Sequence, residues 1–109
     1  DPTSAAERAA TLGPGDAAIV VGHDYETTGA TLIAAMSGEA GYVAALGSAP
    51  VRRLRVEWLA GRGVTDLSRL HMPAGLDLGG KAPRDVALSV LAEALAARAG
   101  ASGRPLRDL

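Results

Sequence analysis

Apolar residues recur along this chain in two rhythms, short unbroken runs and spaced stripes, and the two alternate. Ala17–Gly22 (AAIVVG) is a continuous apolar run closed by glycine, and Tyr42–Leu46 (YVAAL) is a second, closed by Gly47 and Ser48. Short runs with this punctuation predict strands buried on both faces, as in a parallel sheet. The stripes predict helices. One runs from about Gly29 to Met36, capped by Thr27 or Thr28. Another covers Pro50–Arg62, where Val51, Leu54, Trp58 and Leu59 fall at helical spacing and Arg52, Arg53, Arg55 and Glu57 fall mostly elsewhere. Gly61 and Gly63 end it. The longest is Pro83–Ala99, apolar on most of its circumference through Val86, Leu88, Val90, Leu91 and Leu95.

Smaller elements fill the gaps. Ser4–Ala10 reads as a short helix capped by Ser4, with Glu7 completing a capping box. Leu12–Asp16 is a turn and His23–Thr28 a polar loop. Val64–Leu70 reads as a helical turn led by Thr65 or Asp66 and ended by His71, and Pro73–Leu78 as a loop with room for a brief strand. Strands alternating with helices predict βαβ units, a parallel sheet of two or three strands and right-handed crossovers, hence an α/β fold. Residues 17–99 form the expected domain, 1–16 an N-terminal extension or linker, and 100–109 a flexible tail. The last helix is too apolar to stand half exposed, which calls for a neighbour: the other half of a domain or a second subunit.

Composition narrows the picture. At 109 residues the chain is at most one domain. Ala, Val and Leu must fill the core, because Trp58, Tyr25 and Tyr42 are the only aromatic residues. A formal charge of −1 gives no electrostatic case for nucleic acid or a membrane surface. No apolar run approaches the ~20 residues that span a bilayer, and no signal peptide is evident. The absence of cysteine excludes disulfides, thiolate metal sites and a cysteine nucleophile in this chain, and fits the cytoplasm. A start at Asp1 rather than methionine is expected of a processed chain or a piece of a longer one.

Candidate chemistry sits where strands and glycine loops end. The loop Gly75–Lys81 (GLDLGGK) leads through Ala82 into the helix that Pro83 opens. Such a loop is an anion cradle in principle, since backbone amides converge at the positive end of the helix dipole. Asp77 can contact a ligand hydroxyl or amine and Lys81 a phosphate, or Asp77 only braces its own loop. His23 and Asp24 follow the first strand, beyond whose carboxyl end ligands of parallel sheets bind. They can orient a ligand, bind a metal or relay a proton; equally, Asp24 can serve nearby backbone amides. Gly47 and Ser48 hold the matching place after the second strand, with Ser48 either a helix cap or a phosphate donor. Arg52 and Arg53 in a first helical turn are badly placed for the dipole unless an anion is near. Asp85 and Glu93 read as structural, the first at a helix start and the second on a polar face. There is no GxGxxG, Walker, HExxH or GxSxG pattern, and two separated histidines make no metal spacing. No catalytic constellation emerges.

Three segments in this order resemble the C-terminal Rossmann-like domain of the XdhC/CoxI family. They are the strand with GHD (Ala17–Asp24), GYVAALGS (Gly41–Ser48) and HMPAGLDLGGKAPRDVALSVLAE (His71–Glu93). The resemblance covers most of Ala17–Ala99 and implies the back half of a three-layer, Rossmann-like parallel sheet. It further implies a maturation factor for molybdenum hydroxylases such as xanthine dehydrogenase, a chaperone that binds molybdopterin cofactor and delivers it to the apoenzyme. By position, His23, Asp24, Gly47, Ser48, Gly75, Asp77, Gly79, Gly80 and Lys81 would line the ligand cleft. The chain departs from the family's pattern in having Ala49 and Pro50 where the family carries Arg-Arg-Thr, Gly22 for a threonine, and Ala82 for the threonine that would cap the last helix. Two other readings stand beside it: an NAD(P)- or nucleotide-binding oxidoreductase domain, and a ligand-free domain that dimerises through its last helix.

Overall fold

A computed structural model describes residues 2–22 and 24–109. Strands β1 (Ala17–Val20), β2 (Tyr42–Ala45) and β3 (Leu70–His71) lie side by side in that order, all parallel. Helix α2 (Tyr25–Ser37) connects β1 to β2 and α3 (Ala49–Ala60) connects β2 to β3. Helix α1 (Pro2–Ala10) precedes the sheet and α4 (Pro83–Ala99) follows it. The alternation of the strands sorts the core into two. Ala18, Val43 and Ala45 turn to one face and join Leu32 and Ala35 of α2 and Ala9 of α1. Tyr42 and Ala44 turn to the other and meet Val90 and Ala94 of α4. This is an α/β arrangement on a parallel sheet, as the alternating pattern predicts, and it is three-layered and Rossmann-like, as the family resemblance implies.

Cores this small depend on a few well-buried side chains. Leu32, Val43, Leu59 and Tyr42 are fully buried, and each of the three aliphatic side chains contributes about 1.5–3 kcal/mol over an exposed position. Gly29 lets α2 and α3 meet, since a Cβ there would lie 2.3 Å from the Trp58 ring. Helix α4 ends at Gly100 in the left-handed conformation, whose N–H returns to the carbonyls of Ala96 and Ala97.

The structure departs from the expected elements in several places. Helix α2 begins four residues early, because Asp24 rather than Thr27 or Thr28 is its N-cap. Helix α1 begins at Pro2, so Ser4 lies inside the helix and not at its cap. With Ala9 buried in the main core, residues 2–10 of the expected extension or linker supply a helix to the fold. The helical turn expected at Val64–Leu70 is reduced to one turn led by Asp66, whose Oδ1 accepts from the Ser68 amide, and closed from the Leu70 amide to the Leu67 carbonyl. The brief strand is Leu70–His71, ahead of the loop where it was expected. On α3 the inward face is Arg55 and Leu59, while Val51 and Leu54 are exposed. Residues 100–109 are exposed, with one 3-10 turn at Leu106–Asp108.

Helix α4 carries two apolar stripes, and the sheet uses one. Val86, Val90, Ala94 and Ala97 pack inward. Leu88, Leu91 and Leu95 are 60%, 56% and 60% exposed. Strand β1 is an edge strand, and its Ile19 is left 38% exposed. Among the described residues no helix is long and apolar enough to cross a membrane.

Candidate functional site

A cavity of about 490 Å³ opens at the carboxyl ends of β1 and β2. Val21 and Gly22 after β1, and Leu46, Gly47 and Ser48 after β2, form its floor and one wall; Tyr25 of α2 and Val51 and Arg55 of α3 close it. The location follows from topology, because parallel strands deliver their carboxyl-end loops to one edge of the sheet. Gly47 is in the positive-φ region, and a Cβ there would come 2.8 Å from Met72 Cε and 3.1 Å from Val51 Cγ1. Its glycine is thus demanded by packing as well as by the turn. Ser48 is the N-cap residue of α3, yet its side chain makes no capping bond; Pro50 follows in the first turn.

Arg55 is the polar centre of the cavity. It is 4% exposed. Its Nη1 donates to the Tyr25 carbonyl at 3.2 Å and its Nη2 to Thr28 Oγ1 at 2.6 Å. The guanidinium carbon stands 4.7 Å from the centre of the Tyr25 ring, a cation–π contact. Nε is buried with no acceptor. Burial pulls the guanidinium pKa down, against the pull of Tyr25 and Asp24. The Thr28 hydroxyl in turn donates to the Asp24 carbonyl, and the Arg55 side chain ties α3 to α2.

The nine expected site residues do not converge on one point. Gly47 and Ser48 line the cavity. His23 lies outside the described residues. Asp24 stands beside the cavity-lining Tyr25, and its carboxylate is committed to the helix: Oδ1 accepts from the amides of Glu26 at 2.9 Å and Thr27 at 3.3 Å, and Oδ2 from Thr27 Oγ1 at 3.0 Å. Those bonds, those from Thr27 first, hold its carboxyl below the usual carboxylate range. The glycine loop is elsewhere. Gly75 (φ +108) is pressed against α4, where a Cβ would meet Ser89 Oγ at 2.2 Å. Asp77 and Gly79 are exposed, and a Cβ on the exposed Gly80 would fall 2.5 Å from Asp85 Oδ2. Lys81 lines a second, apolar groove of about 600 Å³ between α4 and β1, with Ile19, Leu46, Val86, Val90 and Leu91 among its walls. The two grooves share Leu46.

Glu93 is no surface residue of a polar face. Its Oε1 accepts from Tyr42 Oη at 2.5 Å and from the Gly75 amide at 2.9 Å, and Oε2 lies 3.5 Å from His71 Nδ1. His71, expected to close a helical turn, is instead in β3 with its ring centre 4.8 Å from that of Tyr42. One carboxylate therefore ties α4 to β2, β3 and the start of the glycine loop. Burial first, then the bond to Glu93, pushes the Tyr42 hydroxyl well above the usual phenol range.

Sequence reasoning missed Arg55, and the signal was present. Val51, Arg55 and Leu59 are spaced i, i+4, i+8, one stripe of a helix. Reading the stripe through Leu54 and Trp58 instead put the arginine on the wrong side.

Comparison with known proteins agrees with the fold. The chain matches the family model described as the XdhC Rossmann domain over residues 1–94, a span that includes the α1 segment. A comparison with curated proteins returned no match. Among solved structures it is similar to a xanthine dehydrogenase from Bacillus halodurans, with 22% identity and a TM-score of 0.67. The similarity covers 94% of this chain and 29% of that one, so the chain spans under a third of the length of its structural relative. The shared fold and a family match over most of its length place this chain in the XdhC Rossmann domain family.

Proposed function

We propose that this chain serves the maturation of molybdenum hydroxylases, binding a molybdopterin-type cofactor in the carboxyl-edge cavity for delivery to a xanthine dehydrogenase-like apoenzyme. The observation that carries the reading is the cavity itself, at the ligand-binding edge of an XdhC-type parallel sheet. Its volume is that of a small-molecule site. The residues present suit such a guest: Val21, Leu46, Val51 and the Tyr25 ring offer faces for a flat heterocycle, and Arg55 offers a cation to its anionic end. When bound, the cofactor supplies the dithiolene that carries molybdenum in the client enzyme. This chain's residues bind and shield; they make no bond to it.

The remaining expectations attach to the open flank of the molecule. The bare leucines of α4 and the free edge of β1 offer an apolar surface to the apoenzyme or to a second copy in a homodimer. A protein of this kind works in the cytoplasm, where apoenzymes are assembled.

Copurification tests the reading. The chain, expressed in cells that make the cofactor, is denatured and oxidised, and the released pterin is measured by fluorescence. A pterin signal approaching one per chain is expected. No pterin in this chain or in a longer form containing it would overturn the proposal.

A further inference from the structure

We infer that Arg55 is an anion anchor that makes the carboxyl-edge cavity selective for flat ligands ending in a phosphomonoester; this deepens the cofactor reading and rests on it. A guanidinium at 4% exposure needs a counter-charge. Among the described residues none provides one within ion-pair distance. The acidic group whose charge it feels, Asp24, has its carboxylate bound to Glu26 and Thr27 instead. The oxygens that Arg55 does reach, the Tyr25 carbonyl and the Thr28 hydroxyl, are uncharged, and Nε has no acceptor at all. A leucine at this position would continue the stripe between Val51 and Leu59 without that cost. The arginine lines the cavity, so the missing charge is one that arrives there.

The surroundings define the ligand's class. Helix α3 starts at the same wall with no side-chain cap from Ser48, leaving the amides of Ala49 and Val51 to a ligand anion, Pro50 having none to offer. The Tyr25 ring backs the guanidinium, with the Arg55 Cζ 4.7 Å from the ring centre. The other walls, Val21, Leu46 and Val51, are apolar and have nothing for a second charge. One anionic end and one flat body satisfy all of these surfaces. A planar guanidinium and helix amides together suit the tetrahedral oxygens of a phosphoryl group.

The test uses inorganic phosphate, guanosine monophosphate and guanosine as probes of anion and ring. Binding is followed by the Arg55 Nε–H resonance and by melting temperature. For the wild type, phosphate and the nucleotide should move the Nε–H resonance and raise the melting temperature, since a ligand that binds only the folded state stabilises it. Guanosine should bind at least about tenfold more weakly than its monophosphate, the loss of one charged hydrogen bond. Arg55→Met should keep its fold without ligand and lose the response to phosphate, and Arg55→Lys should keep part of it. Arg55→Met also loses the ties to Tyr25 and Thr28, so its melting temperature falls under either role; a purely bracing role predicts that it responds to phosphate as the wild type does. That result, equal binding of nucleoside and nucleotide, or an unmoved Nε–H resonance would overturn the inference. If Arg55→Met does not fold, the wild-type resonance decides. Phosphate binding at Arg55 without molybdopterin binding would sink the cofactor reading and leave the anchor standing. Molybdopterin binding with Nε–H unmoved would do the opposite.

Discussion

Arg55 and Arg69 carry the same charge, and the fold answers it in opposite ways. Arg69 spends its guanidinium on four backbone carbonyls, whereas Arg55 reaches two neutral oxygens and keeps one donor without a partner. Neither role is visible in a charge count, because both depend on which helix face or helix end the side chain meets after folding. Tyr42 shows the same dependence. It reads as the first residue of an apolar strand, yet its hydroxyl donates to Glu93, 51 residues on. The folded-state pKa of Tyr42 is raised, so the stability this gives is present below the unfolded pKa and fades as the pH rises past about 10. In a spectrophotometric titration at 295 nm, Tyr42 should ionise only as the chain unfolds, and Tyr42→Phe should remove that late step. A Tyr42 signal titrating near pH 10 in the folded protein would show that the Glu93 bond is not made.

Among the elements, punctuation decided what could be read. The bounds of α4 are legible because Pro83 and Gly100 mark both ends in sequence. The first two strands are legible because they are continuous apolar runs. Strand β3 spans only two residues, too few to show a period, and exists because β2 offers it a register, Val43 with Leu70 and Ala44 with His71. The start of α2 was obscured by three neighbouring residues able to cap it. Its far end is legible to one residue, Met36 expected and Ser37 found before Gly38; what sequence does not show is that Arg69 reaches across from the segment before β3 to the carbonyls of Ala35, Met36, Gly38 and Ala40. Arg69→Ala should therefore lower stability by about 2 kcal/mol, the scale of losing charged hydrogen bonds to partly buried carbonyls. Urea denaturation measures it, and an unchanged midpoint would contradict this role.

For the molecule as a whole, the layering was predictable and the position of the candidate site only partly so. Both strand-end loops do meet at one edge, and Gly47 and Ser48 line the cavity there. The glycine loop, expected as a facing wall, is held against α4 by Glu93 and Ser89, with Lys81 in the neighbouring groove. Local sequence made that loop look like a ligand cradle, whereas Gly75 is required by its positive φ and by Ser89. The exposed leucines of α4 were anticipated as a problem of too much apolar surface, and they are bare. Because Leu91 and Leu95 are more than half exposed, replacing both, with Glu and Lys, should leave the melting temperature of a monomeric sample within a few degrees. The same change should reduce association at high concentration in sedimentation. A large loss of stability in the monomer would mean that this stripe is part of the chain's own core.

On the proposed function, the carboxyl-edge cavity, rather than the glycine loop, takes a molybdopterin-type cofactor. An amide chemical-shift titration of the labelled chain with molybdopterin tests it most directly. Saturable shifts should concentrate at Val21, Gly22, Tyr25 and Leu46–Val51, with Asp77–Gly80 moving little. Shifts centred on Asp77–Lys81, or none that saturate, would contradict it.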